Sequence, residues 1–409
     1  MPNQKPDELR VPQGGCPAGF GAVVPQATST DSNDAANLPV SYGSYLNLES
    51  ILSAQHPKST GTLQNKDPSS GSDHAHDEML FIIVHQAHEL WFKQILFELD
   101  SVLQICRRTH IEESTIGTAT ARLERIVSIL ALLNDHLRVL ETMTPMDFLE
   151  FRNFLNPASG FQSVQFRLLE TKLGLPKKRL EYLGSSIFAN AVNQRERELL
   201  NQAMEEPSLF ELVETWLERT PFLETTEFNF WQAYQTAIEK HIDADFGIVR
   251  NQPALSEDQK NKRFIEIDRT RQAYMDLFDS AKHARHVQDG IKRLSLKATH
   301  AALFIYLYRD QPILQTPFRF LTQMTKIDEL LQTWRATHTQ MVHRMIGIKS
   351  GTGGSSGYEY LKSTIHSRAI FSDFCELSTF LLPRSSLPAL PKGYIRKLGF
   401  WNEYAAESC

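Results

Sequence analysis

The 409-residue chain has little of what marks several protein classes. Its four cysteines, Cys16, Cys106, Cys375 and Cys409, are scattered with no CxxC pair. That spacing argues against a disulfide scaffold and fits a reducing compartment. Basic charge is not in excess: 43 Lys and Arg stand against 48 Asp and Glu, for a net charge of −5. No positive field for nucleic acid or an anionic membrane is therefore expected. Uncharged apolar runs, such as residues 298–308, fall short of the roughly 20 residues that a bilayer span needs. The uncharged stretch 11–30 is broken by Gly and Pro and has no leucine-rich segment, so it is a poor signal peptide. Glycine (20) and proline (19) are both slightly scarce, and alternating strand patterns are few and short. The expectation is a soluble, cytoplasmic, all-α protein.

Residues 1–38, rich in Pro, Gly, Ser, Asn and Asp, read as a flexible arm. A polar loop, HPKSTGTLQNKDPSSGSDHAH, spans 56–76. Asp77 is placed to cap a helix running to about Cys106, apolar on nearly every side and so expected in a large core. Three-and-four spacing of Leu123, Ile126, Val127, Leu130, Leu133, Leu137 and Leu140 predicts a second helix. Further helices are expected from Pro207–Ser208 onward, over 263–281, over 294–308 and over 320–346, the last ended by Gly347. One helical domain over 39–387 is expected, with 388–409 as a tail.

In such a protein chemistry is sought where a polar side chain interrupts an apolar stripe, because burying it unpaired costs free energy. Three interruptions stand out. His338 takes a core position in the stripe Ile327, Leu331, Trp334, His338, Met341/Val342, Met345. It is either a core histidine bonded to a carbonyl or a neutral imidazole ligating a metal or haem. His343, five residues on, lies about 140° round the helix and should face elsewhere. Arg152 shares a face with Phe148, Phe151 and Leu155. A guanidinium cannot shed its charge, so Arg152 snorkels, pairs internally, or clamps an anionic ligand. His85 shares a face with Phe81 and Phe92. It is structural, an acid/base, or a hydrogen-bond partner to a ligand. His88 at i+3 makes a two-histidine metal site conceivable, and Glu89 and Lys93 are spaced as an i, i+4 ion pair.

The glycine-rich GTGGSSG (351–357) formally contains G-x-S-x-G, but a helix rather than a strand precedes it, and no lysine follows for a phosphate loop. A mobile lid offering backbone donors and the Thr352 hydroxyl suits it better. His74, His76, His283 and His286 lack companions at zinc spacing and are expected at the solvated surface.

Long blocks of the sequence resemble the tryptophan 2,3-dioxygenase family: SYGSYLNLESIL (41–52), HDEMLFIIVHQAHELWFKQILFELDSV (76–102), LETMTPMDFLEFRNFLNPASGFQSVQFRLLE (140–170), TWLERTPFLE (215–224), FNFW (228–231) and WRATHTQMVHRMIGIKSGTGGSSGYEYL (334–361). The likeness is collinear from about Pro39 to Arg384. It implies a large helical haem-dioxygenase fold, a bundle around a buried haem b that is ferrous when active. The implied reaction opens the indole ring of L-tryptophan with O2 to give N-formyl-L-kynurenine, the first step of tryptophan catabolism by the kynurenine route. By the same resemblance His338 matches the axial haem-iron ligand and His85 the histidine that bonds the indole N–H. Arg152 matches the partner of the substrate carboxylate, and Thr352 helps hold the amino-acid end. Phe81, Phe148 and Leu155 match the indole wall, with Ser159 close to the haem. Tyr42 and Tyr45 match a segment that completes a neighbouring subunit's site in a homotetramer, a dimer of dimers. Val84 and His88 stand where the resemblance leads one to expect Thr and Tyr. The competing expectations are an indoleamine dioxygenase of broader range and a haem or tryptophan sensor without turnover.

Overall fold

In a computed structural model the apolar stripes become helices, and no strand occurs among the described residues. Those are residues 40–61, 74–109, 111–176, 193–220, 229–351 and 357–399. The arm 1–38, most of the polar loop and Thr352 lie outside them.

Contacts divide the chain at Ala54. The described part of the first unit holds α1 (Tyr42–Leu46) and α2 (Leu48–Leu52). Ser41 caps α1 by accepting the Ser44 amide. The second unit begins with two long helices, α3 (His76–Cys106) and α4 (Glu113–Leu140). Shorter ones follow: α5 (Pro145–Phe151), α6 (Val164–Leu173), α7 (Gln194–Glu205) and α8 (Leu209–Glu218). Next come α9 (Phe230–Arg250), α10 (Glu257–Asp276), α11 (Ser280–Gln288) and α12 (Leu296–Leu307). The longest, α13 (Pro312–Ile346), precedes α14 (Tyr358–Ser367), α15 (Ser372–Glu376) and α16 (Lys392–Leu398). The frame of the unit is α4 packed between α3 and α13, with α14 laid against α13.

Local sequence explains most helix ends. Ser208 and Glu211 form the reciprocal cap expected at the start of α8. Asp77 does not cap α3: the helix opens one residue earlier, after Ala75, and Asp77 lies in its first turn, where a carboxylate favours the positive end of the helix dipole. Just inside α3, buried Glu78 accepts the amides of Lys58 and Ser59, so the two ends of the polar loop are tied together. The helix expected over 263–281 is two helices, α10 and α11, separated at Asp279, whose side chain caps the second by accepting the Lys282 amide.

Three further expectations are corrected. Helix α3 is not enclosed on all sides, because Ile83, Leu90 and Phe97 on it are exposed. His283 is buried, with Nε2 bonded to the Leu294 carbonyl at 2.8 Å; that carbonyl lies on the following loop, which periodicity cannot show. Beyond Leu387 the chain still packs, and Leu390, Tyr394 and Leu398 join the main core.

A charged cluster sits inside this core. Glu170 on α6 is fully buried and meets Arg167 at 2.6 Å, Arg335 of α13 at 2.8 Å and Arg368, just after α14, at 2.8 Å. Burial alone would raise the pKa of its carboxyl, but the three guanidinium groups outweigh that and pull it down to about 2.

Candidate haem and indole site

A second, smaller apolar cluster forms where the start of α3 meets the ends of α4 and α13. Val84 comes from α3, Leu137 and Leu140 from α4, and Met341, Met345 and Ile346 from α13. The chain enters α5 through Thr144, whose side chain accepts the Asp147 amide, with Pro145 in the first turn. That short capped helix delivers Phe148 and Phe151 to the cluster, and the 3-10 turn Arg152–Leu155 follows at once. Phe81, Phe148 and Leu155 all pack against it, partly buried. The Phe81 ring lies 5.9 Å from Phe148 and 5.5 Å from Phe151.

His85 lies beside this wall, its ring centroid 4.1 Å from that of Phe81. Its Nδ1 is 2.7 Å from the Phe81 carbonyl oxygen. A carbonyl only accepts, so Nδ1 carries the proton and Nε2 is left with a lone pair. The imidazole retains accessible surface, yet surrounding protein desolvates its charged form and lowers its pKa. It is thus a neutral acceptor with accessible surface beside the apolar wall.

His338 reaches the same place from α13. It is close enough to His85 and His88 that their charges would disfavour its own. Burial is the larger effect, and together they lower its pKa to about 4. Trp334, one turn earlier, stacks on it with centroids 5.2 Å apart and planes 2° from parallel. No hydrogen bond to His338 occurs among the described residues. The carbonyl-bonded core histidine is therefore not what is found; a neutral imidazole with both ring nitrogens uncommitted is. His343 faces elsewhere, exposed and stacked on Tyr358 at 4.0 Å.

The two-histidine metal site does not form. His88 commits Nδ1 to the Val84 carbonyl at 2.9 Å, and among the described residues no three His, Cys, Asp or Glu side chains cluster to hold a bare ion. A single uncommitted histidine suits a metal whose remaining ligands come from a porphyrin. The residues present fit a haem, and His338 is the imidazole that would hold it. The Glu89–Lys93 pair is also absent among the described residues, since Glu89 accepts from Gln165 at 2.8 Å.

Arg152 donates to the carbonyl of Ser350, in the segment leading into the glycine-rich loop. It pairs with no carboxylate among the described residues, so its charge lacks the internal partner that sequence allowed. The loop is bracketed by Gly347 at φ 59° and Gly357 at φ 54°. A Cβ on Gly357 would stand 3.1 Å from the Lys349 carbonyl oxygen, so the two ends of the loop approach closely and only glycine fits there. Ser159 caps the turn Gly160–Gln162 by accepting the Phe161 amide at 3.4 Å. Tyr42 and Tyr45, in the first unit, are 67% and 78% exposed. Sequence reasoning missed the part played by Trp334: its place in the stripe was visible, but not the parallel stack on His338.

Comparison with known proteins agrees with this geometry. A family profile described as Tryptophan 2,3-dioxygenase matches residues 26–381. The chain is 50% identical over 363 residues to the tryptophan 2,3-dioxygenase of Bdellovibrio bacteriovorus, covering 88% of this chain and 98% of that one. It is 44% identical over 368 residues to the enzyme of that name from Dictyostelium discoideum, covering 90% of each. The tryptophan 2,3-dioxygenase A of Danio rerio is also 44% identical, over 88% of this chain and 87% of that one. A match of this extent across such distant sources leaves one conclusion: the chain belongs to the tryptophan 2,3-dioxygenase family.

Proposed function

We propose that the chain is a haem-dependent dioxygenase that converts L-tryptophan and O2 to N-formyl-L-kynurenine. The observation that carries this reading is the combination of His85, whose Nε2 can only accept, with an Arg152 guanidinium that meets no carboxylate among the described residues, beside an apolar wall. Tryptophan presents the complementary groups: an indole N–H to donate, a carboxylate to pair, and an apolar ring between them. Ferrous haem b, held by His338, supplies the binding and activation of O2 when bound.

The chain's residues then position and protect. Arg152 pairs with the substrate carboxylate, aided by Thr352, and His85 Nε2 accepts the indole N–H. Two fixed ends hold C2 and C3 in one orientation, which removes most of the entropic barrier to their meeting with O2. Phe81, Phe148 and Leu155 exclude water from the ring, and Ser159 would contribute to the pocket that holds the haem. Both oxygen atoms enter the product, so no external reductant is consumed. In a cytoplasmic homotetramer, a dimer of dimers, Tyr42 and Tyr45 complete a neighbouring subunit's site. Their exposure, and that of Leu90, Phe97 and Leu132 on α3 and α4, supports an assembly in which they are covered.

The test is an anaerobic absorbance spectrum of the dithionite-reduced protein, followed by addition of tryptophan and air. A Soret band and then a rise of N-formylkynurenine are expected. A Soret band without product would make the chain a sensor, and no band after supplying haemin would end the reading. Arg152→Ala should raise KM for tryptophan about ten- to hundredfold, the scale of a lost charge-assisted contact, with the Soret band unchanged. An unchanged KM would give the carboxylate to another residue.

A further inference from the structure

His88 lies one turn beyond His85 on α3 and is buried. Its Nδ1–H donates to the Val84 carbonyl at 2.9 Å, so its Nε2 has a free lone pair. That lone pair faces the indole N–H of Trp334 across a long hydrogen bond of 3.5 Å. His136 stacks on His88, with centroids 5.1 Å apart and planes at 13°. Phe166 holds another side of the indole, its centroid 5.3 Å away. The same indole lies parallel to the imidazole of His338.

In metal sites the ring orientation of a ligating histidine is ordinarily set by a hydrogen bond from its second nitrogen. His338 has none among the described residues. Its χ2 torsion is of the broad type, so something else must fix the ring plane. Among the described residues the ring that lies flat on it is Trp334, and a stack restrains orientation only if the indole itself cannot turn.

We propose that His88 is a positioning residue for the proximal ligand: by accepting the Trp334 N–H it holds the indole flat against His338 and so fixes the plane of the imidazole. This rests on the reading of His338 as the haem ligand. The resemblance leads one to expect tyrosine here, whose hydroxyl stands farther from the helix and donates as well as accepts. The histidine, with Nδ1 committed to the helix backbone, offers the indole an acceptor and nothing else.

The test uses ferric holoprotein and two readouts other than turnover: electron paramagnetic resonance of the haem, and the rate of haem transfer to excess apomyoglobin. The wild type should give one sharp set of g-values. His88→Phe keeps a buried ring but loses the acceptor. It should give a broadened or multiple set of g-values and release haem about fivefold faster, the scale of one neutral hydrogen bond. His88→Gln places Oε1 where Nε2 stood and should restore both. Trp334→Phe keeps a stacking ring without the N–H, so it should reproduce His88→Phe, and the double variant should be no worse than either single one. Wild-type spectra and release from His88→Phe, or failure of His88→Gln to rescue, would overturn the proposal. Haem held by His338→Ala as tightly as by the wild type would instead overturn the ligand assignment itself, whatever the His88 variants do.

Discussion

His338→Ala leaves the chain unable to retain haem, whereas His343→Ala retains it. Both histidines lie near the end of α13, and composition cannot tell them apart. Their surroundings can. His338 stands against Trp334 in a desolvated cleft with its nitrogens uncommitted, while His343 is exposed and stacked on Tyr358. On the proposed reading the His338 imidazole would be the donor that holds the iron. Its removal should weaken haem binding by more than the 10- to 100-fold typical of a lost outer-shell partner. The haem-to-protein ratio after gel filtration reads this directly. Equal loss from both variants would remove His338 from its role.

Glu170→Ala should destabilise the fold by about 3–5 kcal/mol, because it leaves three buried guanidinium groups without their shared anion. The cluster already has no charge to spare: Arg167 Nε and Arg335 Nη1 are buried without a hydrogen-bond partner among the described residues. Glu170→Gln keeps the shape but removes the charge, and it gives the pH signature. In the folded chain the Glu170 carboxyl titrates near 2, below its ordinary value of 4.5. A depressed folded-state pKa contributes stability that is complete above the ordinary value and is lost as pH falls toward the folded one. The wild type should therefore lose stability between about pH 4.5 and pH 2 more steeply than Glu170→Gln, measured by denaturant unfolding at stepped pH. Parallel profiles would mean that the arginines are neutralised by something other than Glu170.

How far the sequence reached depended on range. Helices were legible because a stripe needs only neighbours three and four residues away, and the same stripes exposed His338, His85 and Arg152 as misfits. Names for those misfits came from the resemblance, not from the stripes. Contacts across long separations were invisible. Glu170 meets Arg335 and Arg368 from 165 and 198 residues away, and no periodicity announces that. His283 was misjudged for the same reason, since the carbonyl that holds it lies on the loop after its helix. The exposed side of α3 was misread because an apolar residue on a helix says that something should cover it, not whether that cover is the same chain.

The hydrogen bond that sets the state of His85 is made to the main chain. In many enzymes a histidine is oriented by an aspartate or glutamate, and one substitution at that partner scrambles its tautomer. Here the acceptor is the main-chain oxygen of Phe81, four residues back in an unbroken helix. Every amino acid carries that oxygen, so no change of side chain at position 81 deletes it. The proton on His85 is guarded by geometry that mutation reaches only by breaking α3. Variation in this pocket can therefore alter its size, shape and affinity freely while the hydrogen-bonding sense of its central histidine stays the same.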